Sequence, residues 1–316
     1  MARQLKVGIA LGGGAARGLS HIGVIAALIK HQIPIDVITG TSMGAIIGAI
    51  FAANPDADAL KARFDAYLNS EEFAKSGFNF FKGLDAQGDG ILFEISRMAR
   101  RGLFNTLMVT QTALIKSETA EESYAFLIDD LQIEQTRIPF AAVALDLLSG
   151  NQVVLDHGSL RKAIAASCAM PGVLNPVNHQ GRMLVDGGWA EAVPIRAARR
   201  LGADFVIAVD VYGETRSFSS PRNAIDVIAR ADSLVRIALS EEQLKSADVV
   251  LAPKNGVSHW ADFSTSKQAV LRGEEEVEMM IDEISQALKN AQRKSWFWRG
   301  RKPSHPSTEK TASGQD

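Results

Sequence analysis

"VITGTSMGAI", residues 37–46, carries an apolar run through the frame Gly40-Thr41-Ser42-Met43-Gly44 into a helix-like stretch. Two roles for Ser42 fit those letters. A serine that opens a helix is a favoured N-cap, because its hydroxyl accepts an orphan backbone N–H. A serine on a sharp strand-to-helix turn is also the nucleophile elbow of a serine hydrolase, with Gly40 and Gly44 relieving the crowding. The frame alone leaves both open.

Upstream, Val7–Leu11 is a short β-type run that stops at Gly12-Gly13-Gly14. From Ala15 to Lys30, Leu19, Ile22, Ile25, Ala26 and Ile29 form a helical stripe. Pro34 ends that unit, Val37–Thr39 reads as a second strand, and Met43–Ala53 as a helix closed by Asn54-Pro55. This strand–helix–strand–helix start is the alternation of a parallel sheet wound by helices. Residues 56–135 read as mostly helical, broken at Gly88-Asp89-Gly90, with 70–110 a candidate lid. Further strands are expected at Phe140–Leu145, Gln152–Leu155, Val173–Val177, Met183–Val185, Phe205–Val211 and Val249–Leu251. Helices are expected at Leu160–Cys168, Ile195–Leu201, Arg222–Leu244 and Ser266–Gln292. The expectation is one α/β domain over residues 1–295, with 296–316 a basic and aromatic, then disordered, tail.

The bulk composition excludes several classes. With 46% apolar and 22% charged residues, the 316-residue chain has the make-up of a soluble globular protein. A net charge of −2 gives no reason to expect nucleic-acid binding. Cys168 is the single cysteine, which rules out an intramolecular disulfide framework. The longest apolar runs, such as Ala45–Ala53, fall short of the ~20 residues of a membrane span, and Val7–Leu11 is too short for a secretory leader. A cytoplasmic location is expected.

The glycine cluster in "GIALGGGAARGLSHIG" invites a nucleotide reading, which fails at the residues that carry the chemistry. In a dinucleotide fingerprint counted from Gly12, the sixth position must be glycine and is Arg17. In a phosphate-binding loop counted from Gly13, lysine must come after Gly18, and Leu19 does. Two readings remain. The amides of Gly12, Gly13 and Gly14 can converge on one oxygen atom, as an oxyanion hole requires, or the glycines merely form a tight turn. Arg17 opposes the dipole of the helix it opens; it suits a guanidinium that holds an anion or braces the loop, and equally a solvated one.

A nucleophile needs a base. His259 has no strand leading into it, and Ser42 comes early for the usual serine–acid–histidine order. In "MLVDGGWAEAVP", Asp186 ends a strand and Gly187-Gly188 let the backbone bend around its carboxylate. Asp-Gly is equally a common hairpin turn, and Asp146, Asp156 and Asp210 are competing bases near strand ends.

"GGGAARG" at 12–18, "GTSMG" at 40–44 and "DGG" at 186–188, in this order, resemble the patatin-like phospholipases. "AASCAMPG" at 165–172 is similar to a further block of that family, and "HIGVI" at 21–25 to the segment after its glycine loop. The resemblance covers roughly residues 5–212. It implies a three-layer α/β/α fold with a mainly parallel sheet, and a Ser–Asp dyad of Ser42 as nucleophile and Asp186 as base. It further implies an oxyanion hole from Gly12–Gly14, a basic position at Arg17, no metal, no cofactor, and fatty-acyl esters of phospholipids or lysophospholipids as substrates. Ala15 stands where some members have a fourth glycine. Leu92, Phe93, Leu103, Phe104, Leu107 and Met108 are candidates for an acyl channel or simply helix core. Ser167 and Cys168 are expected to pack near the site without attacking substrate. A serine esterase, thioesterase or acyltransferase on soluble acyl donors, or a non-enzymatic regulator, are the competing functions. "RKSWFWRGRK" at 293–302 sets Trp296, Phe297 and Trp298 among basic residues, a combination suited to a membrane interface or to capping the last helix.

Overall fold

The computed structural model describes residues 5–76, 113, 115, 117–212, 220–221, 224–254 and 261–299. Its centre is one eight-stranded sheet. The strands are β1 (Val7–Leu11), β2 (Val37–Gly40), β3 (Phe140–Asp146), β4 (Gln152–Leu155), β5 (Val177–His179), β6 (Arg182–Asp186), β7 (Phe205–Val209) and β8 (Val249–Leu251). A parallel body runs β3-β2-β1-β7-β8. β4 and β6 join β3 antiparallel, and β5 joins β6 antiparallel.

Helices cover both faces. The described ones are α1 (Ser20–Lys30), α2 (Met43–Ala53), α3 (Ala57–Leu68), α4 (Glu71–Lys75), α5 (Ser117–Leu127), α6 (Leu160–Ser167), α7 (Ile195–Arg200), α8 (Ala224–Leu244) and α9 (Ser266–Arg299). Side chains alternate across a strand, so each buried strand feeds two cores. Val7, Ile9 and Leu11 of β1 join Phe205, Ile207 and Val209 of β7 in a large core under α1, α2, α3, α5, α6 and α9. Ala10, Val206 and Ala208 face the other way, into a smaller core with Ile195 and Ala198 of α7. Burial on both faces is why β1 and β7 read as unbroken apolar runs. The result is the three-layer α/β/α fold. Among the described residues, no helix is long and apolar enough to cross a membrane.

Three expectations need correction or trimming. Val173–Val177 is no strand: Pro171-Gly172 and Pro176 make the chain turn there, Val173 is buried by packing, and β5 starts only at Val177. The helix expected from Ala15 opens as a 3-10 turn, Ala15–Leu19, before α1. The last helix passes Gln292 and continues to Arg299, so Trp296–Trp298 lie on its backbone path. Most of the candidate lid, from residue 77 on, and the six candidate channel residues between Leu92 and Met108 lie outside the described residues.

One feature of the register positions the site. Ala142 of β3 pairs with both Gly40 and Leu155, and Ala144 with both Val153 and Asp186. β4 therefore occupies one edge of β3, and β2 and β6 share the other. β2 runs parallel to β3 and β6 antiparallel, so the two point at each other in one lane of the sheet. Gly40 ends one and Asp186 ends the other.

Candidate active site

Thr41 alone separates Ser42 from the end of β2, and α2 starts at the next residue, Met43. The Ser42 backbone sits at φ 53°, ψ −121°, and its hydroxyl caps no N–H of α2. A serine N-cap has extended backbone and a bonded side chain; Ser42 has neither, so the cap role is eliminated. Left-handed φ on a residue with a side chain costs ~1–3 kcal/mol and persists only when surroundings over-determine it.

Those surroundings are visible. The Thr41 N–H donates to the Leu11 carbonyl at 3.0 Å, and the Thr41 hydroxyl to the Glu191 carbonyl at 2.9 Å. The Ser42 N–H donates to Ser167 Oγ at 3.0 Å. The two elbow glycines are obligatory by contact. A Cβ on Gly44 would stand 2.2 Å from the Leu11 carbonyl oxygen, and one on Gly40 2.4 Å from the backbone of Ala45. The start of α2 is thus pressed against the end of β1, where the glycine loop begins.

That loop is nearer to Ser42 than any spacing argument could show, and it differs from the expectation in detail. A Cβ on Gly13 would lie 3.4 Å from the Ser42 Cβ. Yet the Gly12 N–H donates to the Val209 carbonyl and the Gly13 N–H to the Ala192 carbonyl, each at 3.0 Å. Both amides are engaged in holding the loop, and neither points at a substrate. The N–H groups of Gly14 and Ala15 have no partner among the described residues. Ala15, at φ 47°, borders the same cavity as Ser42. Within the expected three-glycine set, Gly12 and Gly13 are therefore engaged, and the amides left open in this loop are those of Gly14 and Ala15. Sequence reasoning could not rank these amides, because a backbone donor leaves no mark on side-chain identity.

His21 was also missed as a contributor. Buried on α1, it donates from Nε2 to the Gly12 carbonyl at 2.7 Å. Burial lowers its pKa to about 4, so the ring is neutral at physiological pH. Arg17 is buried in the 3-10 turn rather than solvated, close enough to Tyr212 to favour that phenol's ionised form.

Asp186 ends β6 and is almost fully buried. Gly188 donates its N–H to Asp186 Oδ1 at 2.8 Å. A Cβ on Gly187 would meet the Val143 carbonyl at 2.3 Å, so this turn also hugs β3. Burial raises the Asp186 pKa to about 6; the Gly188 N–H, a side-chain hydrogen bond with Ser42, and the charge of Arg236 oppose the rise. Ser42 and Asp186, separated by most of the family block, are brought together.

The block at 165–172 bridges them. Ser167 accepts from the Ser42 N–H and donates to the Val143 carbonyl at 2.7 Å. The Ala169 carbonyl accepts the Asp186 N–H at 2.9 Å. Cys168 lies close to both Ser42 and Tyr124, whose side chains act on its thiol. Burial, then the Asp186 charge, push that thiol's pKa well up, which keeps it un-ionised.

The competing groups are placed elsewhere. Asp146 is held in its turn by the Ser149 hydroxyl and by the Leu148 and Met183 N–H groups. Asp156 pairs with His157 in solvent. Asp210, at the end of β7, accepts the Tyr212 N–H at 2.9 Å. His259 lies outside the described residues.

A second cluster backs the Asp186 turn. Trp189 donates from Nε1 to Asp232 at 3.1 Å. Asp232 also binds Arg236 Nε at 3.1 Å, and the Arg236 guanidinium lies 4.5 Å from the Trp189 ring centroid. On the other side of Ser42 opens a cavity with ≈ 720 Å³ of empty space, its mouth included. Met43, Ile46, Phe64, Leu127, Met170 and Leu174 make its lining largely apolar.

A mainly parallel three-layer α/β fold with a strained serine elbow at its strand ends is the architecture of the α/β acyl hydrolases. Within that class, residues 9–199 match the family model described as patatin-like phospholipase, and the chain belongs to that family. An uncharacterised NTE family protein of Mycobacterium bovis is 32% identical over 241 residues, 76% of this chain and 57% of the relative. The lysophospholipase nte1 of Emericella nidulans is 31% identical over 215 residues, 67% of this chain and 12% of the relative. Among solved structures, human GIVD cytosolic phospholipase A2 in complex with methyl gamma-linolenyl fluorophosphonate inhibitor and terbium chloride aligns with a TM-score of 0.47 and 14% identity. That alignment covers 92% of this chain and 60% of the other. The chain thus spans a little over half of the first relative and a small part of the second.

Proposed function

We propose that the protein hydrolyses fatty-acyl esters of phospholipids or lysophospholipids with Ser42 as nucleophile and Asp186 as base, in a catalytic unit spanning residues 1–295. One observation carries the reading. The strained, uncapped Ser42 stands close enough to the buried Asp186 carboxylate for its hydroxyl to favour the ionised form, and burial holds that carboxylate at a pKa of about 6, which suits a general base near neutrality.

Ser42 Oγ attacks the ester carbonyl carbon while its proton passes to Asp186. The carbonyl electrons move onto oxygen, and the Gly14 and Ala15 amides, at the positive end of the 3-10 turn, stabilise the tetrahedral oxyanion. Collapse breaks the ester bond, and the leaving alcohol takes the proton from Asp186. Water then gives its proton to Asp186 and attacks the acyl-serine; the fatty acid leaves as Ser42 recovers a proton. The apolar cavity holds the acyl chain, and exclusion of water there strengthens every charge interaction at the reacting atoms. The name lysophospholipase carried by fungal relatives supports the phospholipid class over soluble acyl donors.

The test is labelling by a fluorophosphonate probe, with turnover measured on lysophosphatidylcholine, phosphatidylcholine and acyl-CoA. Ser42→Ala is expected to abolish labelling and lower turnover by roughly four or more orders of magnitude. Strong labelling of that variant would refute the nucleophile, and preference for acyl-CoA would move the substrate class.

A further inference from the structure

α8 turns several polar side chains inward and leaves an apolar stripe exposed. A surface helix ordinarily buries its apolar stripe and exposes its polar one, as α9 does by burying Ala269, Val270, Val277, Ile284 and Leu288. In α8 the buried or half-buried residues include Arg230, Asp232, Ser233, Arg236, Ser240 and Gln243, beside the apolar Ile237 and Leu244. The outward side presents Val227, Ile228, Leu234, Val235 and Leu239, with the exposed Ala231 and Ala238 between them. Ile228 is 66% and Val235 68% exposed, too far out for ordinary partial burial.

The polar side has a clear task. Asp232 and Arg236 grip Trp189, and the Gln243 amide donates to the Ala190 carbonyl at 2.9 Å. α8 is thereby fixed onto the turn after Asp186, with its apolar stripe facing away from the protein beside the site.

We propose that this stripe is a docking surface for the interface of a phospholipid bilayer. The inference takes its motive from the lipid substrate of the proposed function, and its occupant from the position and charge of the stripe. The five aliphatic side chains expose an area on the order of 500 Å², within the range of the largest apolar patch of a monomer, which is often functional. A second copy of the chain is the rival occupant, since a stable protein interface buries ~800 Å² per partner of which roughly 60% is apolar; a bilayer is preferred because the stripe lies beside the site of a lipid-directed family. An apolar helix face sinks into the boundary between headgroups and acyl chains without needing a complementary shape. The stripe carries no charge, and Asp232–Arg236 and Glu242–Lys245 are paired on the same helix. Docking through it is therefore indifferent to anionic lipid and to salt. Docking through the basic aromatic segment at 293–302 would depend on both.

The experiment uses the full chain carrying Ser42→Ala, so that vesicles stay intact, and flotation with phosphatidylcholine vesicles. Binding is expected without anionic lipid and unchanged by salt. Ile228→Glu with Val235→Glu lowers apparent affinity roughly tenfold or more. The milder pair Val227→Ser with Leu239→Ser lowers it less and guards against a folding artefact. In the Ser42 background both pairs keep the parent's melting temperature and its turnover of soluble p-nitrophenyl butyrate. Absent binding to phosphatidylcholine, equal binding of both variant pairs, or a parental dimer that the Glu pair dissociates would each overturn the proposal. Failure of the proposed function is read separately, as ester turnover that survives Ser42→Ala.

Discussion

The turn after β2 and the turn after β6 meet in one lane of the sheet, and they hold their functional side chains by opposite means. At the first, Ser42 is forced into left-handed backbone, its hydroxyl is uncapped, and the constraint comes from neighbours pressing on Gly40 and Gly44. At the second, Asp186 has relaxed backbone at φ −48°, ψ 134°, and its carboxylate is fixed by an N–H two residues on. Strain aims the serine, whereas a local hydrogen bond aims the aspartate. Burial then sets the aspartate's proton affinity. A nucleophile must project where no relaxed backbone would send it, while a base needs only a fixed lone pair and a suitable pKa.

The comparison is broken most severely by removing the charge of the second turn. Asp186→Asn keeps an acceptor for the Gly188 N–H, and turnover is expected to fall by roughly three to four orders of magnitude. The same change is expected to raise the melting temperature at pH 8. The folded pKa of about 6 lies above the ordinary carboxylate value of 3.8. Burying the charged form therefore costs stability as pH rises from the lower value through the higher. The gain from asparagine is full above about pH 6, disappears towards pH 4, and amounts to about 1–3 kcal/mol at most. Thermal melts of both proteins across pH 4–8 check it; a variant that melts lower throughout would refute burial as the source of the shift.

A smaller effect is expected at the first turn. His21→Ala frees the Gly12 carbonyl and loosens the loop that leads to Ala15 at the edge of the cavity. The expected result is a kcat loss of roughly ten- to hundredfold with KM little changed. Equal losses in binding and turnover would point to general misfolding instead. The smallest effect is at Arg236, which acts on the second turn from α8. Asp186 must be ionised to accept a proton, so kcat/KM falls as pH drops through its pKa. Arg236→Met removes a charge that holds this pKa down, and the acid limb of the profile should move upward. A limb that stays in place would separate Arg236 from the base.

The same contrast explains why parts of the site were legible beforehand. Gly40, Ser42 and Gly44 are neighbours in sequence, and their close packing is local, so the letters nearly prescribe the elbow. Met43–Ala53 was readable for the same reason, because its ends are marked by glycine and by Asn54-Pro55. Val173 and Leu174 misled because an apolar pair opened by a β-branched residue looks alike in a strand and in a buried turn. Which loop amides stay open was not legible because every amide looks the same in a sequence, and only the carbonyls of Val209 and Ala192 reveal that Gly12 and Gly13 are occupied.

By itself the sequence determined the alternation of strands and helices and the serine elbow, since backbone periodicity and steric demands on glycine act over a few residues. Only the tertiary structure decided that β2 and β6 run head to head along β3, and that the Asp186 carboxylate is buried, which raises its pKa. It alone revealed which stripe of α8 faces the protein. Periodicity reports that a helix has two faces, but which one meets the protein depends on what the rest of the chain brings beside it.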